Sequence, residues 1–263
     1  MNNTKAYRLL LGAAALGAAL VSVNPAAAGP SASSGGSAQS GYNAIPSKVS
    51  GNVPSEGFEA NADTDFGDEV ALGGPQRGLQ SMSVLFSSWG CQSGHWYSKD
   101  CVTAPGATFD VPVTYTVYAD NSGARGATLS RTTATVQIAY RPSASPECTG
   151  DDAGKWYNSK DRTCYNGFPQ VVQLSMPSVT LPDRVIWTVS FNTSHYGSPA
   201  VGESAPCYTS SGGCGYDSLN VGAFSFPNAP FSGTDLDEDK VFRNGAMESG
   251  WTGFRPLGTI VTK

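Results

Sequence analysis

The segment TFDVPVTYTV, residues 108–117, decides the fold class of this chain. From Phe109 to Val117 every second residue is large and apolar, and the residues between them are polar apart from Pro112. This period of two is typical of a β-strand that packs one face on a core and turns the other to water. Because proline has no N–H to donate, Pro112 predicts an edge strand or a β-bulge at this point.

The same alternation recurs along the chain, and no long stretch has the period of a helix. Turns rich in Gly, Pro, Asn and Ser separate the alternating segments, as in antiparallel sheets that bury one face. We therefore predict an all-β fold, an antiparallel two-sheet β-sandwich of jelly-roll-like type. The other predicted strand segments are residues 82–86, 134–140, 172–176, 185–191, 218–224 and 257–262.

The first 28 residues have the pattern of a secretory signal peptide. Lys5 and Arg8 precede an apolar run, and the small residues at 26–28 predict cleavage after Ala28. Removing residues 1–28 takes away two bases and no acid, which moves the net charge from −5 to −7. Nucleic acid and anionic membranes are therefore poor partners. The sequence has no second apolar run of about 20 residues, so we expect no membrane span in the mature protein. We expect a secreted, extracellular protein.

Two regions follow the signal peptide. Residues 29–55 are rich in Gly, Ser and Pro and poor in large apolar residues, which predicts a flexible linker. Residues 56–263 are long enough for one substantial β-sandwich domain and do not require a second.

The six cysteines form an even set, and export to an oxidising compartment favours disulfides. Spacing favours three local pairs, although six cysteines allow fifteen pairings. A zinc site would need a short spacing such as C-x2-C, which the sequence lacks. The sandwich is thus expected to carry disulfide-stapled loops, with the pairs Cys91–Cys101, Cys148–Cys164 and Cys207–Cys214.

Two of these loops have nearly the same centre. CQSGHWYSKDC, residues 91–101, is the first stapled loop, and CTGDDAGKWYNSKDRTC, residues 148–164, is the second. In one interpretation each tryptophan covers its own disulfide and caps an open end of the sandwich. In the other, exposed aromatic rings stack on sugars. We favour the structural interpretation, because tryptophan beside a disulfide is commonly a packing residue. The predicted ligand-binding residues are Trp96, Tyr97, Trp156 and Tyr157.

Two acidic segments, residues 56–70 and 235–240, lie near opposite ends of the predicted domain. The first and last strands of a sandwich are often neighbours, so the segments could meet and hold a structural calcium ion through carboxylate oxygens. Neither segment fits an EF-hand loop, and a solvated acidic surface is the favoured alternative. The candidate calcium ligands are Asp63, Asp65, Asp68, Asp235 and Asp237, and no other cofactor is expected.

The sequence predicts no catalytic residue. His95 and His195 are the only histidines, and the chain has no G-x-S-x-G nucleophile elbow. A glycosidase needs two carboxyl groups that are close only in space, so the pattern of Glu and Asp along the chain neither identifies nor excludes one.

Several segments resemble the extracellular portions of exported bacterial β-sandwich proteins of the choice-of-anchor and PEP-CTERM type. The resemblance covers most of residues 56–263 and is carried by FGDEVALGG (66–74), IAYRPSASPEC (138–148), YDSLNVGAF (216–224) and the two stapled loops. It implies a β-sandwich outside the cell and brings no catalytic residue. The chain lacks the C-terminal transmembrane sorting segment of that group, so membrane attachment is not implied.

Together these features predict a secreted or envelope-associated, non-catalytic binding module. Polysaccharide or a cell-envelope glycan is the expected partner, because rigid loops present four aromatic rings. The alternatives are an extracellular polysaccharide hydrolase and a purely structural surface protein.

Overall fold

The alternating segment at residues 108–117 lies within a strand, Thr108–Asn121, as its period of two predicts. The structure is a computed structural model that describes residues 38–49, 51–58, 61, 63–191 and 219–263. All of these residues belong to one unit, Gly36–Lys263. The predicted signal peptide and the predicted pair Cys207–Cys214 lie outside the described residues.

The described residues form strands and a single turn of 3-10 helix, Gly150–Asp152. Each of the seven predicted strand segments overlaps a strand of the structure. None of the described helical segments has the length and apolar character needed to cross a membrane. The strands are β1 (Gln39–Asn43), β2 (Ser55–Glu56), β3 (Phe66–Ala71), β4 (Leu79–Ser88), β5 (Thr108–Asn121), β6 (Ala124–Ala139), β7 (Trp156–Asn158), β8 (Thr163–Tyr165), β9 (Phe168–Ser175), β10 (Arg184–Phe191), β11 (Leu219–Gly222), β12 (Thr234–Asp235), β13 (Lys240–Arg243), β14 (Ala246–Ser249) and β15 (Gly258–Thr262).

The strands build two antiparallel sheets. Sheet A has the order β1-β15-β4-β11-β2, and β9 pairs with the other edge of β4. Sheet B has the order β14-β13-β3-β10-β5-β6, with β12 also paired to β3. A small third sheet, β7-β8, lies inside the second stapled loop and its C-terminal flank.

The core lies between sheets A and B, and three contacts join their facing sides. Tyr115 of β5 donates its hydroxyl to the carbonyl of Val172 in β9 at 2.9 Å. The rings of Phe86 in β4 and Phe191 in β10 have centroids 5.7 Å apart. A Cβ at Gly258 of β15 would lie 2.4 Å from the Trp187 ring of β10, so a larger residue at that position would push the sheets apart. The predicted two-sheet sandwich is thereby confirmed.

The predicted flexible linker at residues 29–55 is wrong from residue 38 onward. Strand β1 pairs with β15, and Tyr42 in β1 is fully buried, with Ile45 and Val53 also in the core. The composition of this segment does not indicate a strand, because only a few widely spaced apolar residues anchor it. Its sheet partner lies more than 200 residues away, at Gly258–Thr262.

Pro112 lies where β5 pairs on one side only. Its partner across β6 is Thr135, while the pairing with β10 begins at Val113. The missing N–H therefore interrupts no ladder toward β10, which agrees with the predicted edge environment. The register shifts of the β5-β6 pair lie elsewhere, near Tyr118.

Candidate functional site

Both stapled loops lie at the same end of the sandwich. The β4–β5 connection, residues 89–107, contains the first loop, and the β6–β9 connection, residues 140–167, contains the second. Strand pairing brings the ends of both connections together, because Ser88 pairs with Phe168 and Thr108 pairs with Ala139. Two predicted disulfides are confirmed, with Cα–Cα distances of 5.4 Å for Cys91–Cys101 and 5.9 Å for Cys148–Cys164.

Direct contacts fasten the two connections to each other. The Ala144 N–H donates to the Cys101 carbonyl at 2.9 Å, and the Thr103 N–H donates to Ser143 Oγ at 2.9 Å. Gly154 has a φ of +92° and packs on Lys99, whose Cβ would be 2.6 Å from a Cβ at residue 154. A side chain at Gly154 would therefore be strained in its backbone and would also clash. The two connections consequently form one layer over this end of the sandwich.

Trp156 is a packing residue. Its side chain is buried, its Nε1–H donates to the Gly167 carbonyl at 2.8 Å, and its ring lies 5.5 Å from that of Phe168. Trp96 is half-buried and packs edge-on against Trp89, with 4.8 Å between ring centroids. Both tryptophans therefore pack against neighbouring aromatic rings, while the cover of each disulfide by its own tryptophan stays a prediction.

An open groove of about 530 Å³, here called the aromatic groove, lies between the two connections. Residues 103–107 and 142–146 contribute to its lining, which among the described residues contains no Asp, Glu, Lys, Arg or His side chain. Its volume is in the range of small-molecule sites, which are mostly apolar with a few polar groups. The aromatic residues that line it are Tyr140, Trp156, Tyr157 and Phe168.

The four predicted ligand-binding residues do not form one surface. Trp156 and Tyr157 line the aromatic groove, whereas Trp96 and Tyr97 do not. Tyr97 is 45% exposed and stacks on His95, with 4.9 Å between ring centroids. The two loops have similar sequences but different surroundings, so the repeat does not create two equivalent platforms.

Tyr140 and Phe168 are the groove residues that the sequence analysis missed as ligand-binding candidates. Tyr140 continues the alternation of β6 by one residue and lies just beyond the end of that strand, where its ring packs on Phe109 at 4.7 Å between centroids. Burial raises the pKa of the Tyr140 phenol, which keeps it protonated. The sequence signal that could have identified Tyr140 was its position at the end of the alternating segment, directly after the last residue of β6.

The phenol groups of Tyr140 and Tyr157 supply polar atoms beside apolar rings. Neither hydroxyl makes a hydrogen bond to another described residue, and both side chains are half-buried. Each can both donate and accept a hydrogen bond, so the groove offers unused polar capacity next to aromatic surface.

The two acidic segments do meet, since Asp235 of β12 pairs with Val70 of β3. They nevertheless do not form the predicted calcium site, and the alternative of a solvated acidic surface holds in part, because Glu238 and Asp239 are exposed while the described acids of residues 56–70 are buried. Among the described residues no group of three or more His, Cys, Asp or Glu is placed to hold a metal ion. Asp63, Asp65, Asp68 and Asp235 are buried, and basic side chains or backbone amides contact each of the five predicted ligands. The contacts are Asp63 with Arg243, Asp65 with Arg125, Asp68 with the Glu69 amide, Asp235 with Arg255, and Asp237 with Lys240.

One arginine forms ion pairs with three carboxylates at one edge of sheet B. Arg243 lies 2.7 Å from Asp63, 3.3 Å from Glu56 and 3.0 Å from Glu248. Oδ2 of Asp63 is buried and makes no hydrogen bond among the described residues. Burial and the charge of Glu56 raise the pKa of Asp63 to about 7, although Arg243 opposes the shift.

A second buried cluster lies where β3 meets β12. Arg255 is fully buried, and its Nε–H donates to Asp235 at 2.6 Å. Burial, followed by the charge of Asp235, raises the pKa of Asp68 well above its ordinary range. Burial likewise raises the pKa of Tyr42, whose hydroxyl donates to Asp68 at 3.5 Å. Arg255 balances the charge of Asp235 inside the protein at the junction of the acidic segments.

A larger, polar pocket of about 710 Å³ opens beside the β5–β6 turn. Arg184 joins two nearly buried carboxylates on its wall, Glu69 at 2.6 Å and Asp120 at 2.9 Å. Burial raises the pKa of Glu69, with Arg184 opposing the shift and Asp120 adding to it. The clamp ties β3, β5 and β10 together across sheet B.

No protein family model, curated protein or solved structure matches this chain.

Proposed function

We propose that this chain is an exported, non-catalytic module that binds carbohydrate in the aromatic groove. The observation that carries the proposal is the pair of tyrosines, Tyr140 and Tyr157, whose rings line the groove while their hydroxyls have no described hydrogen-bond partner. Sugars present apolar C–H faces edged with hydroxyl groups, so a ring with an available phenol suits both parts of the ligand.

Rigidity supports the same function. Two disulfides and the hydrogen bonds between the connections hold the groove walls before any ligand arrives. A site that is already ordered loses little conformational entropy on binding, and this favours affinity. The signal-peptide pattern of residues 1–28 and the disulfides support a location outside the cell.

The two carboxylates in the polar pocket beside the β5–β6 turn favour a structural role over hydrolysis. A glycosidase keeps two carboxyl groups about 5 to 10 Å apart and open to the substrate. Glu69 and Asp120 instead share one guanidinium, that of Arg184, and their side chains are only 7% and 4% exposed. Hydrolase action would show as reducing ends released from a polysaccharide panel, and we expect none.

Affinity gel electrophoresis with soluble polysaccharides tests the binding proposal. We expect a matching polysaccharide to retard the wild-type protein, and the Tyr157→Ala variant to bind about tenfold more weakly, which corresponds to the loss of one stacked ring. Tyr97→Ala is the matched control, since it removes an exposed aromatic outside the groove and should bind like wild type.

Three results would contradict the proposal. Wild-type protein could run with the same mobility in every polysaccharide gel. Tyr157→Ala, with an unchanged melting temperature, could be retarded as strongly as wild type. A proline-rich peptide, which also suits an aromatic-lined groove, could bind where no glycan does.

A further inference from the structure

The lining of the aromatic groove is neutral throughout its described residues, in a chain with 16 basic and 21 acidic residues. Of the charged residues next to its lining in sequence, Lys155 and Arg141 are engaged elsewhere, while Glu147, which follows Pro146, has an exposed side chain. Lys155 Nζ lies 2.6 Å from Asp152, and Arg141 is fully buried with its Nη2–H donating to the Gly154 carbonyl at 2.9 Å. None of these three charged residues lines the groove, although each of them adjoins a lining residue in the sequence.

A charged ligand would therefore lose hydration in the groove without gaining a counter-charge. Burying an ion is unfavourable unless it is paired, and the described lining offers no partner of either sign. Anionic ligands meet a further obstacle, because the chain has a net charge of −5, or −7 without the predicted signal peptide, and repels them at long range. Cationic ligands approach more readily but find no carboxylate in the groove.

Hydroxyl groups are the polar side-chain atoms that the groove does supply. Besides the two tyrosines, Thr103, Ser143 and Ser145 belong to the lining. Ser143 Oγ already bonds with the N–H and carbonyl of Thr103, at 2.9 and 3.1 Å, so it fixes the wall. The phenols of Tyr140 and Tyr157 remain for the ligand, and neutral hydroxyls pair best with neutral hydroxyls here because no charge must be buried.

Resting on the proposed function, we infer that the aromatic groove selects uncharged glycans and rejects both anionic and cationic ones. The ligand class is a polysaccharide or oligosaccharide made of neutral sugars. Its binding is nearly independent of salt, since no ion pair forms that salt could screen.

Charge-modified polymers of one backbone provide the test. The cellulose set is hydroxyethyl cellulose, carboxymethyl cellulose and quaternised hydroxyethyl cellulose, and the dextran set is dextran, dextran sulfate and diethylaminoethyl-dextran. Within a set that binds, we expect the neutral polymer to bind at least about tenfold more tightly than either charged form. We also expect its affinity to change less than about twofold between roughly 50 mM and 500 mM salt.

A charge placed in the wall tests the cause. Ala104 lines the groove and is exposed, so Ala104→Lys should raise affinity for the anionic polymer of the set, while the matched Ala104→Glu variant should not.

Three outcomes separate this inference from the proposed function. Equal or tighter binding of a charged polymer, lost in Tyr157→Ala, overturns the inference and leaves the proposed function standing. Failure of every polymer in both sets to bind overturns the proposed function and the inference with it. Salt-sensitive binding of the neutral polymer also overturns the inference.

Discussion

The burial of Asp63 beside Glu56 predicts that the protein loses stability as the pH rises from about 4 to about 7, although Arg243 offsets part of the effect. Asp63 keeps its proton up to a pKa of about 7 in the folded state, because its side chain is buried beside Glu56. In the unfolded chain the same carboxyl ionises near its ordinary pKa of 3.8. Between these values the native state holds more protons than the unfolded state, so the free energy of unfolding falls with rising pH.

The slope has an upper limit of about 1.4 kcal/mol per pH unit for one group, which amounts to on the order of 4 kcal/mol across the whole interval. Burial raises the pKa values of Asp68, Glu69 and Asp235 as well, so these carboxyls act in the same direction. Above the folded pKa of about 7 the Asp63 contribution is constant. We therefore expect greater stability in mildly acidic than in neutral buffer.

Urea denaturation followed by tryptophan fluorescence at pH values of about 4.5, 5.5, 6.5 and 7.5 measures this slope. Asp63→Asn is the matched variant, because it keeps the shape of the side chain and cannot ionise. Relative to wild type, the variant should gain stability steadily as the pH rises. A free energy of unfolding that stays level or rises with pH in the wild type would refute the reasoning, and so would equal slopes for the two proteins.

Three further perturbations have predicted outcomes. Trp156→Ala removes a buried ring and its hydrogen bond, and it should lower the free energy of unfolding by about 3 to 5 kcal/mol in a urea titration. The control variant Tyr97→Ala should change the free energy of unfolding by less than about 0.5 kcal/mol in the same titration. The Cys148→Ser, Cys164→Ser double variant opens a 16-residue separation and should cost about 3 kcal/mol, measured as a lower melting temperature; an unchanged melting temperature would show that the crosslink adds no stability. Arg255→Ala leaves a buried carboxylate without its partner and should cost about 3 to 5 kcal/mol at neutral pH and clearly less in acid, where the carboxyl is protonated; a pH-independent cost would contradict this account.

The strands could be predicted from the sequence where the period of two is long. Val111, Val113 and Val117 in β5 and Val185 and Val189 in β10 face the core, so alternation and burial coincide. Strands β1 and β3 escaped prediction for different reasons. The first contains mainly small and polar residues, and the second contains acids that are normally exposed.

The candidate site could be predicted only in part. Sequence indicated the stapled loops, their disulfides and the involvement of Trp156 and Tyr157. The end of the alternating segment was a signal for Tyr140, but the sequence could not indicate that its ring meets Trp156 and Tyr157, because the pairing of β5 with β6 and of β4 with β9 brings them together. Equally, the similar loop sequences gave no sign that Trp96 and Tyr97 would lie outside the groove, since contacts with neighbours such as Trp89 decide it.

Strand β15 sits between β1 and β4 in sheet A and, because it lies more than 200 residues farther along the chain, it leaves the ribosome long after β1. Until Gly258–Thr262 arrive, β1 has no neighbouring strand in that sheet among the described residues. Pairing of two segments so far apart in the sequence closes a large loop, and such long-range closure is slow. Sheet A therefore gains its β1 edge only after residue 262 has been made, and an amino-terminal fragment that ends before Gly258 would keep β1 without its sheet partner.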